Sequence, residues 1–157
     1  MRTLVVYATK HGATKKIAEG IAEGMGNAVL YDVCKDGEVA LGDYECVVLG
    51  SSLTAGRIRK DMKNFIGKHA DELRGKRFGI FLSGLQESGT EEYFEQNFSQ
   101  ELLDKAAEKA FLGGIFDPGK CGFMERVLIK AAAKLDVYTS TIDNERVASF
   151  ARAMLNM

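Results

Sequence analysis

Short, unbroken apolar runs alternate along this chain with longer stretches in which apolar residues recur every three or four positions. Thr3-Leu4-Val5-Val6-Tyr7 is the first short run, and its β-branched and aromatic content predicts a buried strand. Ala28–Val33 predicts a second strand. Cys46-Val47-Val48-Leu49-Gly50, apolar throughout, predicts a third that is covered on both faces. Phe78–Leu82 predicts a fourth, and Ala110–Phe116 a fifth, closed by the turn residues Asp117-Pro118-Gly119. Helical spacing fills the intervals. Ile17, Ala18, Ile21, Ala22 and Met25 share one face, with Lys15, Lys16, Glu19 and Glu23 opposite. Ile58, Met62, Phe65 and Ile66 form a second stripe, and Tyr93, Phe94, Phe98 and Leu102 a third, behind a Ser88-x-x-Glu91 capping box. Phe123 to about Leu135 predicts another helix. The last one bears Val147, Phe150, Ala151, Met154 and Leu155 and is capped by Asp143. Strands alternating with helices predict an α/β three-layer sandwich, one parallel sheet with helices on both faces. No repeat or linker interrupts the pattern, so one domain is expected over residues 1–157.

In an open parallel sheet, ligands bind outside the carboxyl ends of the strands, where the strand order reverses. Three loops leaving carboxyl ends here are rich in small and polar residues: Thr9–Thr14, Ser51–Gly56 and Ser83–Gly89. A strand order 2-1-3-4-5 would bring them to one crevice. The first, Thr9-Lys10-His11-Gly12-Ala13-Thr14, sits at a helix N-terminus, where free N–H groups and the helix dipole favour a phosphate. The alternative is a strand-to-helix turn with a good N-cap and nothing bound. In the other two loops Gly56, Gly84 and Gly89 would let a flat ring approach the backbone.

Composition narrows the function. Of 157 residues, 46% are apolar and 27% charged, ordinary values for a globular chain. A formal net charge of −1 and the lack of an aromatic-studded basic run argue against a nucleic-acid binder. No apolar run reaches membrane-spanning length. The first strand begins almost at Met1, so no signal peptide is expected. Cys34, Cys46 and Cys121 have no C-x-x-C spacing, and a reducing cytoplasm is the compartment expected. Cys34 and Cys46 are expected as small core residues. With only His11 and His69 besides, no metal site has the required ligand spacing and none is expected, and His69 is expected as a partly exposed residue near a helix end. The G-x-x-x-x-G-K-[ST] loop, G-x-G-x-x-G after the first strand and the G-x-S-x-G elbow are all absent. A receiver domain would need an acidic pair after the first strand and an Asp ending the third, where Ala8-Thr9 and Gly50-Ser51 stand. No residue is expected as a catalytic group, and His11 is expected to contribute mainly its backbone N–H.

These residues resemble the flavodoxin family. Thr9, Gly12 and Thr14 match its phosphate loop, [S/T]-x-T-G-x-T, with a departure at His11. Within the family the chain is most similar to the flavin-dependent, menaquinone-linked protoporphyrinogen dehydrogenases of bacteria. Gly50-Ser51-Ser52-Leu53-Thr54-Ala55-Gly56 resembles their G-A-S-I-R-Y-G, Phe123–Lys130 their R-F-M-I-K helix, and Val147–Arg152 their V-A-N-F-A-R. The resemblance implies a flavodoxin-like fold with FMN as cofactor. It places the phosphate on Thr9–Thr14 and the ring between Ser51, Ser52, Leu53, Thr54, Ala55, Gly56 and Ser83, Gly84, Leu85, Gly89. Thr54-Ala55 replaces Arg-Tyr in the middle loop and the chain has no Trp, which leaves Leu53 with Leu85 or Tyr93 to flank the ring.

Two redox functions are compatible with this, beside a third class, a flavin-free interaction module that retains the fold only. One is an oxidoreductase passing electrons from an organic donor, such as a porphyrinogen, through FMN to a quinone. The other is a carrier between proteins, for which Glu87, Glu91, Glu92 and Glu95 offer an acidic docking patch. In the helix Phe123–Leu135, Arg126, Lys130 and Lys134 recur beside Phe123, Met124, Val127, Leu128 and Leu135. Its stripe is expected to face the core, and the alternative is peripheral contact with an anionic membrane where quinones reside.

Overall fold

The computed structural model describes residues 1–26, 28–86, 88–133 and 137–156; Glu87, Lys134 and Leu135 lie outside them. In chain order the elements are β1 (Thr3–Ala8), α1 (Ala13–Met25), β2 (Ala28–Asp32), β3 (Cys46–Thr54) and β4 (Arg57–Ile58). Next come α2 (Lys60–Lys68), α3 (Ala70–Arg74), β5 (Arg77–Ser83), α4 (Thr90–Asn97), α5 (Gln100–Lys105) and β6 (Glu108–Phe111). The chain finishes with β7 (Ile115–Phe116), α6 (Phe123–Ala133), β8 (Thr139–Ser140) and α7 (Asn144–Leu155). The main sheet runs β2-β1-β3-β5-β6, and every neighbouring pair on that path is parallel. This is the expected order once the short β4, antiparallel to β3, is set aside.

Alternate residues of each strand go to opposite faces, and both faces are covered. Leu4, Val6, Val47, Leu49, Phe78 and Ile80 meet Met62, Phe65, Phe94 and Leu103 from the α2–α5 side. Val5, Tyr7, Val48 and Phe81 meet Ile17, Ile21, Val147, Phe150 and Met154 from α1 and α7. Glycines set how closely these layers approach. A Cβ on Gly24 would stand 2.8 Å from Ala151 Cβ, and one on Gly79 2.5 Å from Met154 Sδ. Asp143 caps α7 as expected, its Oδ1 accepting from the Glu145 and Arg146 N–H groups.

Several expectations need correction. The predicted fifth strand is broken. β6 ends at Phe111, Gly113 takes φ 90°, and β7 leaves the sheet to pair with β8 in a separate antiparallel ribbon. The aromatic stripe Tyr93–Leu102 spans two helices, because Phe98 is extended and Ser99 Oγ caps α5 by accepting from Leu102 N–H. Ser88 and Glu91 form no capping box; Gly89, at φ 71°, is the α4 N-cap with no side-chain bond. His69 is buried at the α2–α3 junction, its ring centroid 4.5 Å from that of Phe65 and its Nδ1 2.8 Å from Glu72 Oε1.

Cys34 is exposed rather than in the core, and its thiol donates to Asp61 Oδ2 at 3.2 Å. Desolvation and then that hydrogen bond push the Cys34 thiol up, which lowers its thiolate fraction. Replacing Asp61 by Asn is therefore expected to speed alkylation of Cys34 several-fold near neutral pH. An unchanged rate of iodoacetamide labelling would show that Asp61 does not restrain the thiol.

Helix α6 also departs from expectation. None of residues 123–131 is buried, and Phe123, Met124, Val127 and Leu128 are 71, 66, 45 and 63% exposed. Its apolar stripe faces away from the core. No helix among the described residues is long and apolar enough to cross a membrane.

Candidate functional site

The carboxyl ends of β1, β3 and β5 are adjacent in the sheet, and strand order reverses between β1 and β3. From β1, Thr9 Oγ1 accepts from the Gly12 N–H at 2.9 Å, which folds Thr9–Gly12 into a tight turn. Gly12 has φ 100° and is the N-cap of α1, with no side-chain cap. The first-turn N–H groups from Ala13 onward thus lack intrahelical acceptors. Space beside Gly12 is open, since a Cβ there would meet only Lys120 Nζ, at 3.7 Å. Thr14 is buried, and its Oγ1 lies 2.7 Å from Ser83 Oγ. Two hydroxyls in one hydrogen bond use one of their two hydrogens, so the pair keeps a donor for an acceptor in the crevice.

Lys10 and His11 do not point freely into solvent. Glu125, in the first turn of α6, holds both: Oε1 lies 3.1 Å from Lys10 Nζ and Oε2 2.8 Å from His11 Nε2. The His11 hydrogen bond first, and Lys10 after it, hold the Glu125 carboxyl below the usual carboxylate range. Lys120 Nζ donates to the His11 carbonyl at 3.4 Å. The Thr9–Thr14 loop is thus bounded on one side by Lys120 and Glu125.

The middle segment is mostly strand. Ser51, Ser52, Leu53 and Thr54 belong to β3, and Ala55-Gly56 form the two-residue turn of the β3–β4 hairpin, with φ 51° and 77°. Both central residues are left-handed, as such hairpin turns require. Ser51 is buried, accepting from Arg59 N–H at 3.0 Å and donating to the Ser52 carbonyl at 2.9 Å. Ser52 Oγ is buried with no hydrogen-bond partner among the described residues. An orphaned hydroxyl at the end of the central strand carries a desolvation cost that a polar ligand would remove.

Asn97 straps the hairpin to α4. Its Oδ1 accepts from Ile58 N–H at 3.0 Å, and its Nδ2 donates to the carbonyls of Gly56 and Tyr93 at 2.8 and 2.7 Å. Replacing Asn97 by Ala leaves the first two of those backbone groups unpaired, a cost of about 2 kcal/mol. The Ile58 amide is expected to lose hydrogen-exchange protection; retained protection would show that the strap is dispensable.

In the third loop, Gly84 donates its N–H to the Gly113 carbonyl at 3.0 Å. Phe111 and Leu53 fill the space a Gly84 Cβ would take, at 3.2 and 4.0 Å. Gly84 and Gly56 thus meet side chains of this chain: the Tyr93 ring stands 3.2 Å from a Gly56 Cβ. Of Gly56, Gly84 and Gly89, the last alone has open space at its Cβ position. Leu53 and Leu85 are half-buried, and Tyr93 stacks toward Phe111 with ring centroids 6.4 Å apart. Beyond the loop, Gln86, Thr90, Phe111, Gly113, Thr141, Asp143 and Arg146 line a cavity of about 340 Å³. Lys120, Glu125 and Asn97 escape sequence inspection because the partners that tie them to the candidate loops lie 39 or more residues away, and only the Glu–Lys–His charge complement hints at one of them.

An open parallel sheet with a glycine-gated helix N-terminus at its switch point defines the class of protein. The sequence matches the "Flavodoxin domain" family model over residues 4–143, and the chain belongs to that family. Membership makes it a flavodoxin-like FMN-binding redox protein. Among curated proteins it is 29% identical to a protoporphyrinogen IX dehydrogenase [quinone] of Leishmania major, over 85% of this chain and 63% of that one, so it spans less than two thirds of that relative. It is 25% identical to the Escherichia coli K12 protein of the same name, over 100% of this chain and 96% of the other. Among solved structures, oxidised flavodoxin 1 of Bacillus cereus aligns with a TM-score of 0.59 at 13% identity, over 99% and 97% of the two chains. That similarity speaks to the fold.

Proposed function

We propose that this chain is an FMN-dependent oxidoreductase that takes electrons from a reduced organic donor, such as a porphyrinogen, and delivers them to a quinone or similar acceptor. The single observation behind it is the pairing of the glycine-gated turn at α1 with an exposed apolar, basic helix beside it. FMN supplies the electron chemistry when bound. This chain's own part is to bind and orient it. First-turn N–H groups of α1 and the Thr14–Ser83 hydroxyl pair would receive the phosphate, and Ser52 Oγ would find its missing partner on the ligand. The β3–β4 turn and the 83–89 loop would flank the ring, with Leu53, Leu85 and Tyr93 as the apolar neighbours. Phe123, Met124, Val127 and Leu128, with Arg126 on the same helix, suit peripheral contact with an anionic membrane surface, where quinones dissolve.

The protein as purified is expected to show a flavin absorption spectrum and, anaerobically, to reduce a soluble quinone analogue at the expense of a porphyrinogen. A flavin-free protein that does not take up added FMN would overturn the binding assignment. Bound FMN without quinone turnover would favour the second reading, a carrier between proteins. Glu91, Glu92 and Glu95 are exposed on α4 beside the third loop and form a patch suited to a basic partner.

A further inference from the structure

We infer that His11, Cys121 and Glu125 form a binding site for a zinc-class divalent cation. A ring nitrogen of His11, Cys121 Sγ and a Glu125 carboxylate oxygen all lie within 4.8 Å of one another, and all three residues are half-buried. Their convergence is built into the backbone. Asp117 Oδ1 accepts from Gly119 N–H at 3.0 Å, fixing the turn that delivers Cys121 at the entrance to α6. Glu125 follows in the first turn of α6, beyond the extended Cys121, and the two side chains meet through the bend that leads into the helix. His11 reaches them from the turn held by Thr9 and Gly12.

The donor set selects the metal. A thiolate, an imidazole and a carboxylate suit Zn²⁺ or Co²⁺, whereas Ca²⁺ and Mg²⁺ prefer oxygen ligands throughout. Bonds of about 2.0–2.3 Å to one tetrahedral ion put ligand atoms roughly 3.3–3.8 Å apart. Small side-chain rotations therefore suffice to close the set. The 2.8 Å contact between His11 and Glu125 would open by about half an ångström, with the metal replacing the proton they share. Lys10, 3.1 Å from Oε1, already engages one carboxylate oxygen and leaves the other for single-point coordination. Three protein ligands leave one position for water. Thiolate and carboxylate together cancel the charge of the ion, while Lys10 and Lys120 close by keep the affinity below that of a closed four-ligand site.

Isothermal titration of the chelator-treated, flavin-loaded protein with Zn²⁺ is expected to give one site per chain. Titration with Co²⁺, read as a difference spectrum against the metal-free sample, is expected to show a thiolate-to-metal charge-transfer band. Cys121→Ser should abolish that band and weaken Zn²⁺ binding by at least about 30-fold, and Glu125→Gln should weaken it comparably. Cys34→Ser, on the exposed thiol that Asp61 holds, should leave both signals unchanged. Saturating Zn²⁺ should raise the Tm of the unaltered protein and not that of Cys121→Ser, whose metal-free Tm and FMN affinity should match the parent. Absence of a thiolate band, binding that survives Cys121→Ser, or loss of binding in Cys34→Ser would each overturn the assignment.

Discussion

Gly12→Asp is expected to weaken FMN binding by at least about 100-fold, or ~2.8 kcal/mol, while leaving the fold intact. Two effects act on the fold, and they nearly cancel. Gly12 sits at φ 100°, where a non-glycine residue costs about 1 kcal/mol. Asp is also a favoured N-cap, and its charge at a helix N-terminus returns roughly 0.3–1 kcal/mol. Against the ligand nothing cancels. A carboxylate about 4 Å from a phosphate repels it by about 4 kcal/mol at a surface-like dielectric of roughly 20. Lys120 Nζ, 3.7 Å from the position of the new Cβ, would pair with the carboxylate and occupy the seat further. Gly12→Ala, which adds strain without charge, is expected to lose less than about tenfold. Fluorescence titration with FMN, alongside circular dichroism, separates the two effects. Retained affinity in Gly12→Asp would move the phosphate elsewhere.

Gly50→Ala is expected to cost on the order of 3 kcal/mol of stability and to lower Tm by roughly 6–12 °C. A Cβ at Gly50 would lie 2.0–2.6 Å from three atoms of the Phe81 ring, which therefore occupies the place of a side chain. Phe81 is fully buried and meets Phe150 edge-on with centroids 6.2 Å apart, so it cannot turn away without displacing α7. Phe81→Leu shortens that ring and should absorb part of the damage. The double variant is expected to be less destabilised than the two single costs added, by about 1 kcal/mol or more. Additive costs in thermal or urea unfolding would show that Gly50 and Phe81 do not compete for one space.

Much of the fold was legible in the sequence because strands covered on both faces leave long apolar runs, as in Cys46–Gly50. Small polar residues at three strand ends likewise marked where loops would gather. The misreadings have definite causes. Leu112-Gly113-Gly114-Ile115 continues the apolar content of β6, yet the left-handed Gly113 turns the chain out of the sheet. Phe98 and Leu102 keep helical spacing across a real break, because a cap such as Ser99 interrupts the backbone without changing the period. In α6 the periodicity shows that one face is apolar, and it does not say what that face meets. Within the candidate site, Thr9, Gly12 and Thr14 follow from local chemistry. Glu125 and Asn97 follow only from tertiary approach.

The departure and return of the chain around α6 have an evolutionary meaning. The chain turns out of the main sheet at Gly113, and the strands on either side of α6, β7 and β8, pair with each other. Thr141 N–H donates to the Gly114 carbonyl at 2.8 Å, closing the neck of the excursion just inside that ribbon. Because the ends are tied at one place, changes of length beyond the Lys120 and Glu125 contacts cost little more than a slowly growing loop entropy. The exposed face of α6 can therefore take on new surface chemistry without rebuilding the sheet, provided Lys120 and Glu125 keep their hold on the Thr9–Thr14 loop.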